Sequence, residues 1–226
     1  MLAQRRVDGK TNEIPEFAPL LDEVDLAGRV VTADALHCQR DHARYLVAER
    51  HADYLFVAKQ NQPGLVAAIS QVPEQAFPPP SVTVDRGHGR VERRTVRAAP
   101  VPAQVRFPHA EQVFVVDRHV TDLSGRPRFT EVAYGVTSLT GERACAARLG
   151  GLLRGQWQIE NRLHWVRDVV FAEDASRVRT AHGPQVMASL RNLVIGLLRL
   201  AGHAMIARAL RWMGRNPARA LTLLGV

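Results

Sequence analysis

A chain of 226 residues with 30 basic and 22 acidic side chains carries a formal charge of +8, and its length suits one domain, or one domain with an insert. Apolar residues make up 46% and charged residues 23%, values that allow a packed core and exclude a disordered or collagen-like chain. No apolar run approaches the roughly 20 residues of a membrane span, Met1 to Lys10 has no apolar signal core, and Cys38 and Cys145 form no CxxC pair, so the expectation is a cytoplasmic protein without membrane contact.

In chain order, Arg29 to Asp34 and Asp53 to Lys59 are short apolar, β-branched or aromatic runs and read as buried strands. His37 to His51 between them places Ala43, Leu46 and Val47 at helical offsets. A strand, helix and strand in that order give a parallel pair. Ligands of such sheets sit beyond the carboxyl ends of the strands, which puts Asp34 and the turn Lys59-Gln60-Asn61-Gln62 on the functional edge. Pro73 to Pro80 closes this unit. Ser81 to Arg97, Gln112 to Thr121 and Arg128 to Leu139 then alternate or are β-branched between Gly and Pro turns, the pattern of an antiparallel β insert. From Ala144 the chain is helical. Leu152, Ile159, Leu163, Val166 and Val170 form an apolar stripe expected to face the sheet. Leu153, Trp157, Glu160, His164 and Arg167 form a second, more polar stripe centred on Glu160. Pro184 to Met213 reads as one or two core-covering helices.

Charge is uneven along the chain. From Ala175 to Val226 there are eight arginines and no Asp or Glu, a polycationic segment whose natural partner is a polyanion such as nucleic acid. A solvated helix face is the bland alternative. An acidic residue ending a buried parallel strand, and another on a helix packed against the same sheet, can also share divalent ions, because Mg²⁺ takes hard oxygen ligands and an ion pair serves phosphodiester transfer. Spacing alone leaves Asp34 equally suited to capping the helix that follows, and Glu160 to a surface position.

Further motifs weigh on that choice. Val31-Thr32-Ala33-Asp34-Ala35-Leu36-His37-Cys38-Gln39, Asp53-Tyr54 through Lys59-Gln60-Asn61-Gln62, and Asp85 to Arg90 followed by Glu92 occur in order. They are followed by Arg154-Gly155-Gln156-Trp157-Gln158-Ile159-Glu160-Asn161-Arg162-Leu163-His164-Trp165, by Asp168-Val169, Phe171, Glu173-Asp174 and Arg177, and by Met187-Ala188 with Leu190-Arg191-Asn192. This series resembles insertion-sequence DDE transposases of the H-repeat-associated (ISAs) type. The resemblance implies an α/β, RNase H-like core, a mixed sheet with flanking helices, interrupted by a β-rich insert and followed by C-terminal helices. The matching segments are residues 1–80 with the second catalytic Asp, 81–141 as the insert, and 142–226 as the helical part with the catalytic Glu. It further implies DNA cleavage and strand transfer with Asp34 and Glu160 as second and third carboxylates of the triad, holding Mg²⁺ (or Mn²⁺). Lys59, Asn61, Gln62, Arg154, Trp157, Asn161, His164 and Arg167 would contact double-stranded DNA at the insertion-sequence ends or brace Glu160; Trp157 fits a core role equally. A homodimer acting in the nucleoid is the implied assembly.

Two departures stand out. Gln156 occupies the place where the family usually has His, which removes a proton donor of variable charge while keeping hydrogen-bonding capacity. Val7-Asp8-Gly9-Lys10 looks like the motif of the first carboxylate but runs directly into Thr11-Asn12-Glu13-Ile14-Pro15. Asp8 is therefore read as a decoy, the first core strand as missing, and the chain as a truncated or inactive copy. The competing reading is a DNA-binding remnant without chemistry. A dinucleotide enzyme or a serine hydrolase lacks its signature, since Gly87-His88-Gly89 is no GxGxxG and no GxSxG occurs. His37 and His88 are expected to be structural or solvent-facing.

Overall fold

The computed structural model describes Ala3, Arg5 and residues 13–225, the side chains of Glu160 and Asn161 excepted. It contains two compact units, Gly9–Gln156 and Met1–Asp8 together with Trp157–Val226. In the first, α1 (Phe17–Leu21) precedes β1 (Val30–Ala33), which pairs in parallel with β2 (Asp53–Ala58), Val30 opposite Asp53 and Ala33 opposite Phe56. All of β2 is buried, as expected of a strand covered on both faces. The connection is not one helix. Gln39 is extended, so a 3₁₀ turn (Ala35–His37), α2 (Arg40–Arg44) and a π-helical turn (Tyr45–Glu49) replace the continuous helix expected from His37 to His51. The apolar offsets still serve, with Ala43 and Leu46 fully buried.

After α3 (Pro63–Ser70) come β3 (Ser81–Gly87), β4 (Arg90–Pro100), β5 (Gln112–Asp122) and β6 (Pro127–Thr137). These insert strands extend the sheet begun by β1 and β2. Its order is β1-β2-β6-β5-β4-β3, and β6 runs antiparallel to β2 with Leu55 opposite Thr137. The join is polar and buried. Thr137 Oγ1 donates to the Tyr54 carbonyl at 2.6 Å, Ser138 Oγ donates to Asp53 Oδ1 at 2.9 Å, and Arg143 closes an ion pair with Asp53 at 2.6 Å. The hairpin β3–β4 turns at His88 and Gly89, with φ of 51° and 70°. Two successive positive φ values define a two-residue turn whose twist matches the strands. The mixed sheet with flanking helices is consistent with an RNase H-like fold.

His42 sits where α1 meets α2. Its ring stacks on Phe17 at 4.0 Å, with Nδ1 3.2 Å from the His37 carbonyl and Nε2 3.1 Å from that of Ile14. Burial pushes its pKa below the ordinary value, against the two carbonyls and the Asp41 charge, which pull it up, while the His37 charge adds to the lowering. A depressed folded-state pKa means that the unfolded chain binds the proton more readily. The stability this contributes is complete above the unfolded value of about 6.5 and is lost as pH falls through the folded value. Urea midpoints of the wild type should therefore drop between about pH 7 and pH 5, and His42→Gln should flatten that part of the profile.

α4 (Ala146–Ile159) continues into π-helical turns at Glu160–His164 and Val166–Val170. Leu149 and Leu153 are its buried residues, and Gly150 lies close against Val96 of β4. Ile159, expected on the inward stripe, is 45% exposed. A π turn accommodates more residues than an α turn, so one helical phase cannot run from Leu152 to Val170. Within the turns Val166 is buried, with Leu163 and Val170 half-buried, in the core of the second unit. That core also takes Ile195 and Leu198 of α5 (Gly183–Leu200) and Ile206, Ala209 and Met213 of α6 (Ile206–Gly214). Gly202, at φ 82°, turns the chain between the two helices expected from Pro184 to Met213. α7 (Ala218–Leu224) follows. Among the described residues no helix is long and apolar enough to cross a membrane.

Candidate nucleic-acid and metal site

β1 ends at Ala33 and delivers Asp34 to the carboxyl end of the parallel pair, where it is exposed. Asp34 also caps the 3₁₀ turn that follows. Its Oδ1 accepts from the Ala35 amide, and its carbonyl accepts from the His37 amide at 2.9 Å. Oδ2 has no bond among the described residues. Capping and an outward-facing carboxylate oxygen therefore coexist at one residue, and the two sequence readings of Asp34 do not exclude each other.

The β2–α3 turn is tied to this loop. Asn61 Nδ2 donates to the Ala35 carbonyl at 2.6 Å, and Gln62 Nε2 donates to that of Cys38 at 2.8 Å. Asn61 Oδ1 in turn accepts from the Lys59 amide at 3.3 Å. The two amide side chains expected at DNA thus hold the peptide on either side of the 3₁₀ turn, and they fix the direction in which Asp34 leaves β1. Lys59 is exposed on the same turn. Arg154 on α4 is half-exposed and pairs with Asp85 at 3.7 Å. Cys38 is fully buried, and burial pushes its thiol up to about 12, which removes it from any nucleophilic role at neutral pH.

The second unit carries Glu160. Its backbone begins the first π-helical turn, with His164 at the end of that turn and exposed. The side chains of Glu160 and Asn161 lie outside the described residues, as do Val7, Asp8, Gly9 and Lys10. Trp157 is half-buried. Arg167 is engaged by Glu173, which accepts from Nε and, at 2.7 Å, from Nη2; Arg191 approaches the same carboxylate at 3.3 Å. The bond from Arg167, with the charge of Arg191 added, holds Glu173 below the usual carboxylate range against the opposing effect of burial. Arg167, expected to contact DNA or to brace Glu160, is thereby tied through Glu173 to Arg191 of α5. No spacing rule flagged Glu173, although an acidic residue six positions after Arg167, on the far side of a turn, was the available signal.

Among the described residues no three His, Cys, Asp or Glu side chains gather as a ligand set. In the second unit, Arg208 and Arg211 on α6 and Arg215 just after it are exposed. The Arg219 guanidinium lies 4.1 Å over the ring of Trp212, which is itself 44% exposed. Sequence reading counted these arginines but passed over Trp212, whose interleaving with them is the mark of a surface that meets bases or phosphates.

A mixed sheet of this order with flanking helices makes this an α/β protein. The transposase DDE domain family matches residues 1–197, and the chain belongs to that family. Its relatives in Escherichia coli (strain K12) include "Putative protein YbfL", 29% identical over 217 residues, covering 88% of this chain and 54% of the relative. "H repeat-associated putative transposase YhhI" is 28% identical over 217 residues, with the same 88% and 54% coverage. "H repeat-associated putative transposase YbfD" is 31% identical over 114 residues, 46% of this chain and 43% of the relative. The chain spans about half the length of the curated relatives it matches.

Proposed function

We propose that the chain serves DNA transposition by metal-assisted phosphoryl transfer, with Asp34 and Glu160 as carboxylate ligands and the ends of an insertion sequence as substrate. The observation that carries this reading is the placement of Asp34: exposed, at the carboxyl end of a parallel strand, with Oδ2 open and its loop latched by Asn61 and Gln62. A carboxylate oxygen of that kind suits Mg²⁺ or Mn²⁺, both of which prefer hard oxygen donors. Bound ions of this class polarise the phosphodiester and lower the pKa of the attacking oxygen. The chain's own share would be to fix the carboxylates and to hold the DNA backbone, for which Lys59 and Arg154 of the first unit offer exposed or half-exposed cations and His164 of the second an exposed hydrogen-bonding ring. Asp8 is left outside the ligand set. Two carboxylates hold a pair of divalent ions weakly, so the 226-residue chain by itself is expected to bind terminal-repeat DNA without cutting it. Such chemistry belongs to a cytoplasmic, nucleoid-associated enzyme acting as a dimer on paired ends.

The test is Mn²⁺ binding in the presence of a terminal-repeat duplex, followed by water-proton relaxation. Asp34→Asn and Glu160→Gln should each weaken it about tenfold or more, since ligand charge sets affinity. Equal Mn²⁺ binding by both variants would remove the carboxylates from the site, and robust strand cleavage by the wild type would overturn the inactive reading. The arginines of α6 and the stacked Trp212 support a second reading, a DNA-binding remnant. In that case Asp34→Ala leaves salt-dependent DNA binding intact, and Mn²⁺ binding is absent from the outset.

A further inference from the structure

α5 has two apolar faces. Ala188, Arg191, Asn192, Ile195 and Leu198 are buried, Ile195 and Leu198 within the core of their own unit. On the opposite side Val186, Leu190, Leu193, Leu197 and Leu200 recur at spacings of 4, 3, 4 and 3. Of these, Val186 is 52%, Leu190 49%, Leu193 55% and Leu200 87% exposed. A surface helix needs a single apolar stripe. A second one with alternating spacings of 3 and 4 is the seam of a helix pair.

We propose that this seam is the contact through which two copies of the chain pair, α5 against α5. Three features of the face select a second copy. Its flanks, Met187, Ser189, Val194 and Gly196, carry no charge, although the whole chain is at +8 and the segment from Ala175 onward is purely cationic. Two copies repel each other across any surface of that segment except an uncharged one, and with no acidic side chain there, no ion pair between the two segments can replace apolar contact. A polyanion, for the same reason, finds nothing on this face to bind. Second, the spacing about Leu193 is nearly the same in both directions, so the patch meets itself as an isologous contact requires. Ser189 and Gly196 let the helices approach closely. Third, five such side chains per copy and their flanks bury on the order of 1,000 Å² in a pair, the lower bound of a specific interface. The seam gives the dimer of the proposed function a surface, and it rests on that reading only for the purpose of pairing DNA ends.

Sedimentation of the 226-residue chain without DNA tests it. The wild type should be a dimer at micromolar concentration, and the dimer should persist in high salt, because its contact is apolar. Leu190→Glu with Leu193→Glu, at exposed positions that leave the core of the unit intact, should weaken association about 100-fold with the circular dichroism unchanged. Should the double variant lose helicity, Leu193→Cys in a Cys145→Ser background decides: it should form a disulfide-linked dimer on oxidation. A monomeric wild type, a double variant that folds and dimerises undiminished, a Leu193→Cys variant that forms no cross-link, or a monomer that floats with phosphatidylcholine vesicles would each overturn the seam. Dimerisation is measured without DNA or metal, so a failure of Mn²⁺ binding leaves it standing, and its own failure leaves the carboxylate site standing.

Discussion

Gly135→Ala should unfold the sheet-bearing unit or leave it far less stable, by about 3 kcal/mol or more. Gly135 lies in β6 between Val57 of β2 and Phe114 of β5, at the join of the parallel pair and the insert strands. A β-carbon there would overlap the Phe114 ring and the Phe56 carbonyl oxygen. Side chains can yield to such a clash, but the Phe56 oxygen belongs to β2, a buried strand paired on both sides, and cannot move without breaking its ladder. The same exchange at Gly64, in α3 and with nothing within 4 Å of the added carbon, should be neutral or stabilise by about 0.5–1 kcal/mol, because alanine is the better helix former. Thermal denaturation followed by far-ultraviolet circular dichroism separates the two. Equal melting temperatures for both variants would mean that the join between β2 and β6 is loose, and with it the direction of Asp34.

The sequence carried the strands far better than it carried their arrangement. Val30–Ala33 and Asp53–Ala58 announce themselves because burial on both faces demands an unbroken apolar run, and β3 to β6 do so through alternation and their Gly and Pro turns. That β6 joins β2 depends on Thr137, Ser138, Asp53 and Arg143 meeting across the sheet, contacts between distant positions that no local pattern encodes. The phase of α4 misled for a related reason: a stripe drawn at constant pitch put Ile159 inward and Leu153 on the polar face, and the π-helical turns break the pitch. Asn61, Gln62 and Arg167 carry donors that serve a phosphate or a carbonyl and carboxylate equally well. Composition names the donor; the fold, through Ala35, Cys38 and Glu173, supplies an internal acceptor. Asp34 was legible because a strand end needs no distant partner to be recognised.

Removing Glu173 should cost the second unit about 2 kcal/mol, as losing the charged acceptor of a half-buried ion-pair cluster does. Glu173→Ala leaves Arg167 and the buried Arg191 facing each other without an anion. The first is on the π-helical turn that follows Glu160 and His164, the second on α5, so the loss falls on the clasp that sets the end of the Glu160 helix. All three tryptophans, Trp157, Trp165 and Trp212, lie in this unit, and tryptophan fluorescence in a urea titration therefore reports it selectively. The wild-type midpoint should also be pH-dependent. Glu173 is held below the usual carboxylate range in the folded state, so its contribution is complete above the unfolded value of about 4.3 and is lost as pH falls through the folded value. The alanine variant should lack that component. Glu173→Gln, which keeps one acceptor without the charge, should fall between the two. If all three chains unfold together at neutral pH, the arginines find solvent as readily as they find Glu173, and the Glu160 helix is positioned by Val166 and its apolar neighbours without the clasp.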